Sequence, residues 1–341
     1  MSEYHKQYKV AAVQSAPAYL DLGAGIKKAC GLIREAADNG ASLIAFPETW
    51  FPGYPFWIWL NSPAAGMHYL QRYVDNSLVI NSVQYQTLCT AARDNNIHVL
   101  LGFSERKNGT LYIAQSLIGP DGNPINHRRK VKPTHMERTI FGEGDGSDLK
   151  VSETELGMVG ALNCWEHLQP LNRYALYSQN EQLHIASWPS FSLYTGLAYA
   201  LGPELNMASS ATYAAEGQCF VIAACGIVSP EMLEILDHVN PEMTLLQTGG
   251  GHAMIFGPDG KPLCDPLDPD EEGLLYADLD FSQIIIAKAT ADPVGHYARP
   301  DVTRLLFNDQ PQRPVEKFTL FEPLPSNPPE ENIPSSEEDS T

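Results

Sequence analysis

A cysteine closes the apolar run Met158-Val-Gly-Ala-Leu-Asn-Cys164, and Trp165-Glu166-His167 follows it at once. A strand that ends on a thiol at a corner lifts that side chain clear of its sheet. Nucleophilic enzymes use such corners, because the attacking atom must be exposed while its backbone stays fixed. The ordinary reading of a cysteine in an apolar segment is a packed core thiol, and the polar flank Glu166-His167 weighs against it. A helix opening at Pro170 begins six residues beyond Cys164, too far for its dipole to lower the thiol pKa strongly, so a nearby cation has to do more. The chain has one basic cluster, His127-Arg-Arg-Lys-Val-Lys132, which is either an ion-paired surface stripe or the source of that cation. If Ile125 to Lys130 is a strand, alternation turns part of the cluster inward. Two carboxylates complete the candidates. Glu48 sits at the carboxyl end of the apolar run Ser42 to Phe46, where ligands gather in sheet proteins. Glu137 lies in Pro133-Thr-His-Met-Glu-Arg138. A carboxylate walled by aromatic side chains has a raised pKa and can act as a general base near neutral pH, and Trp50, Phe51, Tyr54, Phe56, Trp57 and Trp59 follow Glu48 closely.

The elements that must position these groups alternate between strand and helix patterns. Lys9 to Pro17 reads as a strand, and Ile26, Ala29, Cys30, Ile33 and Ala37 recur at helical spacing before the strand that leads to Glu48. A long aromatic loop comes next, then a helix near Val83 to Asn95. Strands at His98 to Glu105, Leu111 to Ile118 and Ile125 to Lys130, joined by turns at Asn108-Gly109 and Pro120-Asp-Gly122, predict a meander. Further strands are expected at Met158 to Cys164, His184 to Trp188, Phe220 to Cys225, His252 to Phe256 and Leu274 to Asp280, with helices at Leu171 to Gln179 and Pro203 to Glu216. The mixture predicts a layered α/β domain with a mixed sheet.

Composition narrows the classes of function. The 341 residues are 43% apolar and 18% charged, as in a soluble globular protein, and the formal net charge of −19 disfavours nucleic acid and anionic lipid as partners. No apolar stretch has the length of a membrane span and the first residues lack a signal-peptide pattern, so a cytoplasmic protein is expected. Six cysteines without any Cys-x-x-Cys pair predict free thiols rather than disulfides or a zinc ribbon. Residues 311–341 carry seven prolines and seven acids against two basic residues, which predicts a disordered acidic tail following a domain of residues 1–310. Removing the tail's net −5 leaves −14, so the body is acidic by itself.

Taken together, Phe46-Pro-Glu48, the segment Arg129 to Arg138, and Leu162-Asn-Cys-Trp-Glu-His167 resemble the nitrilase branch of the carbon-nitrogen hydrolase superfamily, with the residues in the order Glu, Lys, Glu, Cys. The resemblance runs from about Tyr8 to about Phe307 and includes Phe141-Gly-Glu-Gly-Asp-Gly146, Ala186-Ser-Trp-Pro189, Gly249-Gly-Gly251 and Asp292-Pro-Val-Gly-His-Tyr297. It implies an αββα sandwich, four-layered (αββα-αββα) on dimerisation, and assembly into helical homo-oligomers without a metal or organic cofactor. It also implies the roles: Cys164 as nucleophile, Glu48 as general base, Lys130 as the cation beside the intermediate and Glu137 as an orienting carboxylate. Lys132 is the rival to Lys130, but the Arg-Lys pair of the family falls on Arg129-Lys130. The implied reaction is hydrolysis of a small-molecule nitrile to a carboxylic acid and ammonia. The alternatives are an amidase, a cyanide-hydrolysing enzyme and a scaffold without turnover. All five tryptophans lie near Glu48 or Cys164 in sequence. Tyr54, Trp165 and Trp188 are therefore expected at the substrate, unless helix packing or a subunit contact claims some of them. Within the branch the resemblance is to bacterial arylacetonitrilases, notably through Ser187 to Tyr194, and it implies a preference for arylacetonitriles.

Overall fold

The computed structural model describes residues 5–60, 62–237, 245–312 and 315. Almost all of the acidic tail therefore lies outside the described residues. The chain opens with β1 (Gln7–Ser15), α1 (Leu22–Asp38) and β2 (Ala41–Ala45), then α2 (Trp57–Leu60), α3 (Pro63–Asn76) and α4 (Val83–Asp94). The meander β3 (His98–Lys107), β4 (Thr110–Ile118) and β5 (Pro124–Arg129) is antiparallel, as its turn residues predict. It is followed by the short strands β6 (Phe141–Gly142) and β7 (Ser152–Thr154), then β8 (Gly157–Asn163), α5 (Pro170–Tyr177), β9 (Leu183–Trp188), α6 (Pro203–Gly217) and β10 (Phe220–Gly226). α7 (Pro230–Ile235), β11 (Met254–Phe256), β12 (Gly273–Asp280) and α8 (Ser282–Ala291) complete the described elements.

The long loop expected after Glu48 is a correction. It contains two helices, and the longer one, α3, is capped by Ser62 and has Pro63 at its first turn, a start signal present in the sequence.

Strands β5-β4-β3-β2-β1-β10-β9-β8-β7 follow one another through hydrogen-bonded neighbours, but the path folds back on itself. β1 is antiparallel to β12 from Gln7 to Gln14, whereas it meets β10 only at Gln14 and Ser15. Beyond that joint the two halves lie face to face. Gln115 on β4 donates to Ser187 Oγ on β9 at 2.8 Å, and Ser187 Oγ donates to the carbonyl of Phe46 at 3.0 Å.

Alternation along β1 assigns the layers. Val10 and Ala12 pack with Leu43, Leu100, Val159, Ile185 and Ile222 in the core between the halves, while Ala11 and Val13 face outward onto Ile26, Ile33 and Leu88 of α1 and α4. On the other outer face, α5 and α6 cover β8 to β10 through Ala175, Leu176, Tyr213 and Ala214. The result is an αββα sandwich. Each of these side chains is under a tenth exposed, and burial of this kind is worth about 1.5–3 kcal/mol for each large apolar side chain.

Candidate active site

The strand β8 ends at Asn163, and Cys164 takes the left-handed backbone conformation with φ +48°. Such a conformation costs about 1–3 kcal/mol in a residue other than glycine and persists only where its surroundings hold it. The expected helix does start at Pro170, but a 3-10 turn, Cys164–Leu168, begins at the cysteine itself, so the corner is sharper than the sequence predicts. Glu166 secures it by accepting from the backbone N–H of Asn163 at 2.8 Å and of Val131 at 2.9 Å. These bonds tie the corner to the chain just past Lys130.

The basic cluster divides as alternation requires. Arg128 and Lys130 turn inward, whereas Arg129 forms a forked pair with Glu105 that His127 also joins. Lys132 is exposed and pairs with Glu143. Arg128 meets Glu166 through two bonds of 2.7 and 2.9 Å. Lys130 follows the end of β5 and is fully buried, its Nζ donating at 2.8 Å to both Glu48 Oε1 and Glu137 Oε2.

Glu48 reaches this point because Gly102 on β3 lets the chain after β2 pass close by. A Cβ at Gly102 would sit 1.9 Å from the carbonyl oxygen of Pro47. Glu137 comes from the 3-10 turn His135–Thr139 and is held by the N–H of Thr134 at 2.6 Å and the hydroxyl of Tyr54 at 2.9 Å. Trp59 Nε1 in turn donates to that hydroxyl at 3.0 Å.

Electrostatics follow from one cation among several acidic groups in a dry site. Burial pushes the Glu48 carboxyl up to about 8, against the pull of Lys130 and helped by the charge of Glu137. Burial alone would discharge Lys130, but Glu137 and Glu48 hold its ammonium well above the usual lysine range. The Cys164 thiol is raised, first by burial and then by Glu48, while Lys130 and the N–H of Trp165 oppose the rise. The resting sulfur is thus a thiol beside a carboxyl that can take its proton and a cation that can stabilise negative charge.

An open cavity lies over Cys164 and Glu137, with about 440 Å³ of empty space that includes its solvent-filled mouth. Tyr54, Phe56, Trp59, Trp165 and Phe191 form most of its aromatic lining. Of the three residues expected at the substrate, Tyr54 and Trp165 line this cavity and Trp188 does not. Trp188 is fully buried, stacks on His167 at 5.0 Å and donates to Ser210 Oγ of α6. Its neighbour Ser187 faces the sandwich interior, so Trp188 must face the opposite side, under α6. Trp50 and Trp57 are also buried in packing, the first donating to the carbonyl of Ser15 and the second lying against Tyr69 and Tyr73. Thr134, within the segment Arg129 to Arg138, also lines the cavity, and Asn206 and Leu201 do so without any advance signal in the sequence. Asn206 accepts from Trp165 Nε1 at 3.0 Å and so fixes one wall. Among the described residues no group of three or more His, Cys, Asp or Glu is arranged to hold a metal ion, and no helix is long and apolar enough to cross a membrane.

Residues 9–289 match the family model described as carbon-nitrogen hydrolase. A nitrilase of Pseudomonas syringae pv. syringae is 58% identical over 303 residues, covering 89% of this chain and 90% of its own. An arylacetone-specific nitrilase of Alcaligenes faecalis is 49% identical, covering 97% and 93%. An aliphatic nitrilase of Rhodococcus rhodochrous is also 49% identical, covering 92% and 86%. The crystal structure of a carbon-nitrogen hydrolase from Helicobacter pylori G27 superposes with a TM-score of 0.70 at 16% identity, over 87% of this chain and 97% of that one, which speaks to the fold. The chain belongs to the carbon-nitrogen hydrolase family, within its nitrilase branch.

Proposed function

We propose that the protein hydrolyses a nitrile to a carboxylic acid and ammonia at Cys164. The observation that carries this reading is the buried convergence of Glu48 and Glu137 on Lys130, beside a cavity lined by Glu137 and by a cysteine raised on a left-handed corner. A nitrile carbon is a weak electrophile, so attack needs a thiolate. Glu48 accepts the Cys164 proton, sulfur bonds to carbon as a C–N π bond opens, Lys130 stabilises the charge developing on nitrogen, and Glu48 passes its proton to that nitrogen to give the thioimidate. Water deprotonated by Glu48 adds to the thioimidate, the C–N bond breaks and ammonia leaves, and a thioester remains. A second water releases the acid and returns the thiol. Two waters are the co-reactants that the balance requires. Glu137, held by Thr134 and Tyr54, orients Lys130. Expulsion of sulfur before ammonia would release the amide as a by-product.

The aromatic lining from Tyr54, Phe56, Trp59, Trp165 and Phe191 supports arylacetonitriles over short aliphatic nitriles. The arylacetone-specific relative supports that preference and the aliphatic one, equally identical, supports the other. The aromatic lining favours the former. Incubation with phenylacetonitrile, a short aliphatic nitrile and phenylacetamide, with ammonia, acid and amide all quantified, tests both levels. Ammonia from the first substrate well above the second is expected. Ammonia from the amide alone would make the protein an amidase, and none from any would leave a scaffold.

The same reading includes a homo-oligomer built from dimers. Leu168 and Leu171, exposed beside and on α5, are apolar side chains that a second copy would cover. A molecular mass by light scattering that remains that of one chain at every concentration would overturn it.

A further inference from the structure

Behind the corner, on the side away from the cavity, four buried polar side chains form a continuous hydrogen-bonded line. Tyr213 OH donates to Glu181 Oε2 at 2.5 Å, Glu181 Oε1 lies 2.7 Å from His184 Nδ1, and His184 Nε2 lies 2.9 Å from His167 Nε2. His167 Nδ1 then lies 2.6 Å from the backbone carbonyl oxygen of Cys164. None of the four is more than 1% exposed. Space for the carboxyl is built in at Gly160 of β8, where a Cβ would sit 1.9 Å from Glu181 Oε1.

The protons of this line can be placed by elimination. A carbonyl accepts only, so His167 Nδ1 carries a proton and donates it to Cys164. One proton must lie between the two Nε2 atoms and one between His184 Nδ1 and Glu181. These three protons can be drawn with Glu181 neutral, or with Glu181 ionised and either histidine charged. In every drawing His167 donates to Cys164. Burial raises the Glu181 carboxyl to about 8, and it depresses both imidazoles, so the uncharged arrangement prevails. The charged groups facing the line are Arg128 and Glu166, which are paired with each other. Tyr177 and Cys219 lie beside its Tyr213 end.

We propose that Glu181, His184 and His167 are positioning residues that lock the peptide between Cys164 and Trp165, so that its N–H is aimed at the reacting sulfur and the charge developing beside it. The proposal rests on Cys164 as the nucleophile. In a trans peptide the C=O and N–H point in opposite directions, so a donor that fixes the carbonyl on the far side fixes the N–H on the near side. The N–H of Trp165 accordingly pulls the Cys164 thiol pKa downward, against the effect of burial. A non-glycine residue at φ +48° needs such an anchor, and a preorganised donor stabilises a thiolate without reorganising when it forms. Glu181 and His184 enforce the His167 tautomer in which Nδ1 donates, as outer partners do for ligand histidines elsewhere.

The test compares full-length variants whose thermal melting shows them folded. Alkylation of Cys164 by iodoacetamide is followed from neutral to alkaline pH, alongside nitrile turnover. His167→Phe keeps a ring against Trp188 but deletes the donor. It should move the alkylation profile to higher pH and lower kcat by about 10- to 100-fold with little change in KM, the scale seen when outer-shell orienting partners are lost. His167→Asn returns an amide N–H near the position of Nδ1 and should recover much of both. Glu181→Ala should behave like a milder His167→Phe. Glu181→Gln can still donate to His184 and accept from Tyr213, and should recover much of what the alanine variant loses; this pair carries the test if His167→Phe does not fold. Folded His167→Phe and Glu181→Ala proteins with the parental alkylation profile and kcat would overturn the proposal. Failure of the nucleophile reading is distinct, because it appears as Cys164→Ala retaining turnover.

Discussion

Arg128 and Lys130 stand two residues apart on one face of the chain at the end of β5, and both are buried against carboxylates, yet their surroundings are opposite in kind. Arg128 has every side-chain nitrogen hydrogen-bonded. It donates to Glu166 twice, to Gln115 Oε1 at 2.7 Å and to the carbonyl of Asp148 at 2.9 Å, and Glu166 spends its remaining capacity on two backbone N–H groups. Burial works against the Glu166 charge, but Arg128 and these bonds still hold its carboxyl below the usual range. Lys130 is shared between two carboxylates, and Glu48 Oε2 is buried without a hydrogen-bond partner among the described residues. Glu48 accordingly sits at about 8. The first network has no reason to change its charge, whereas the second is poised to exchange a proton. A complete network serves as a frame and an incomplete one beside a cavity serves chemistry.

Substitutions on the two sides should separate activity from stability. Cys164→Ala and Cys164→Ser should reduce nitrile turnover to background in a folded protein, and Cys164 should be the site of covalent labelling in the parent. Glu48→Gln and Lys130→Ala should each lower kcat by about 10²-fold or more, measured on protein that circular dichroism shows to be folded. Arg128→Ala should act first on the fold, costing about 3–5 kcal/mol in denaturant unfolding because Glu166 is left as a buried unpaired charge. A stable Arg128→Ala protein that loses as much turnover as Lys130→Ala would erase the distinction.

The pH profile sharpens the same comparison. In the proposed mechanism Glu48 acts as a base when ionised, so kcat/KM should rise with pH through a limb near 8 and fall as the carboxyl takes up its proton below it. The limb belongs to the Glu48–Lys130–Cys164 cluster jointly. Lys130, held far above the usual lysine range, should add no limb near neutrality. A limb in the ordinary glutamate range would mean that Glu48 is not desolvated in solution.

How far the sequence reaches depends on whether the governing signal is local. Strand alternation and turn residues are local, so the meander, the corner at Cys164 and the inward turn of part of the basic cluster were legible. The placement of Glu48 over Lys130 was not. It depends on Gly102, an ordinary glycine in sequence whose missing Cβ allows the close pass of Pro47. Trp188 misleads because proximity in sequence to Cys164 says nothing of which sheet face it occupies, and α6, far along the chain, claims it. Helix α3 was hidden among aromatic residues, although its Ser62-Pro63 start was readable. Glu181 and His184 carry no recognisable motif, and only the crossing of β8, β9 and α6 brings them to His167 and Tyr213.

The smallest effect expected is at Lys132, two residues beyond Lys130 and the rival for its role. Alternation would place it on the same face, but the chain leaves β5 before reaching it, and its ammonium pairs with Glu143 at the surface, 60% exposed. An ion pair that exposed contributes less than about 1 kcal/mol, since water and salt screen both charges and ordering two long side chains costs entropy. Lys132→Ala should therefore leave kcat within about a factor of two and the unfolding midpoint almost unchanged, and what small effect there is should shrink further at high salt. Lys130→Ala, read in parallel, should show the large loss of turnover with no such salt dependence, because its partners are sealed from solvent. If the ranking of the two lysines were reversed, the cation at the reacting atoms would be Lys132, and the buried trio of Lys130, Glu48 and Glu137 would be a frame of the same kind as Arg128 and Glu166.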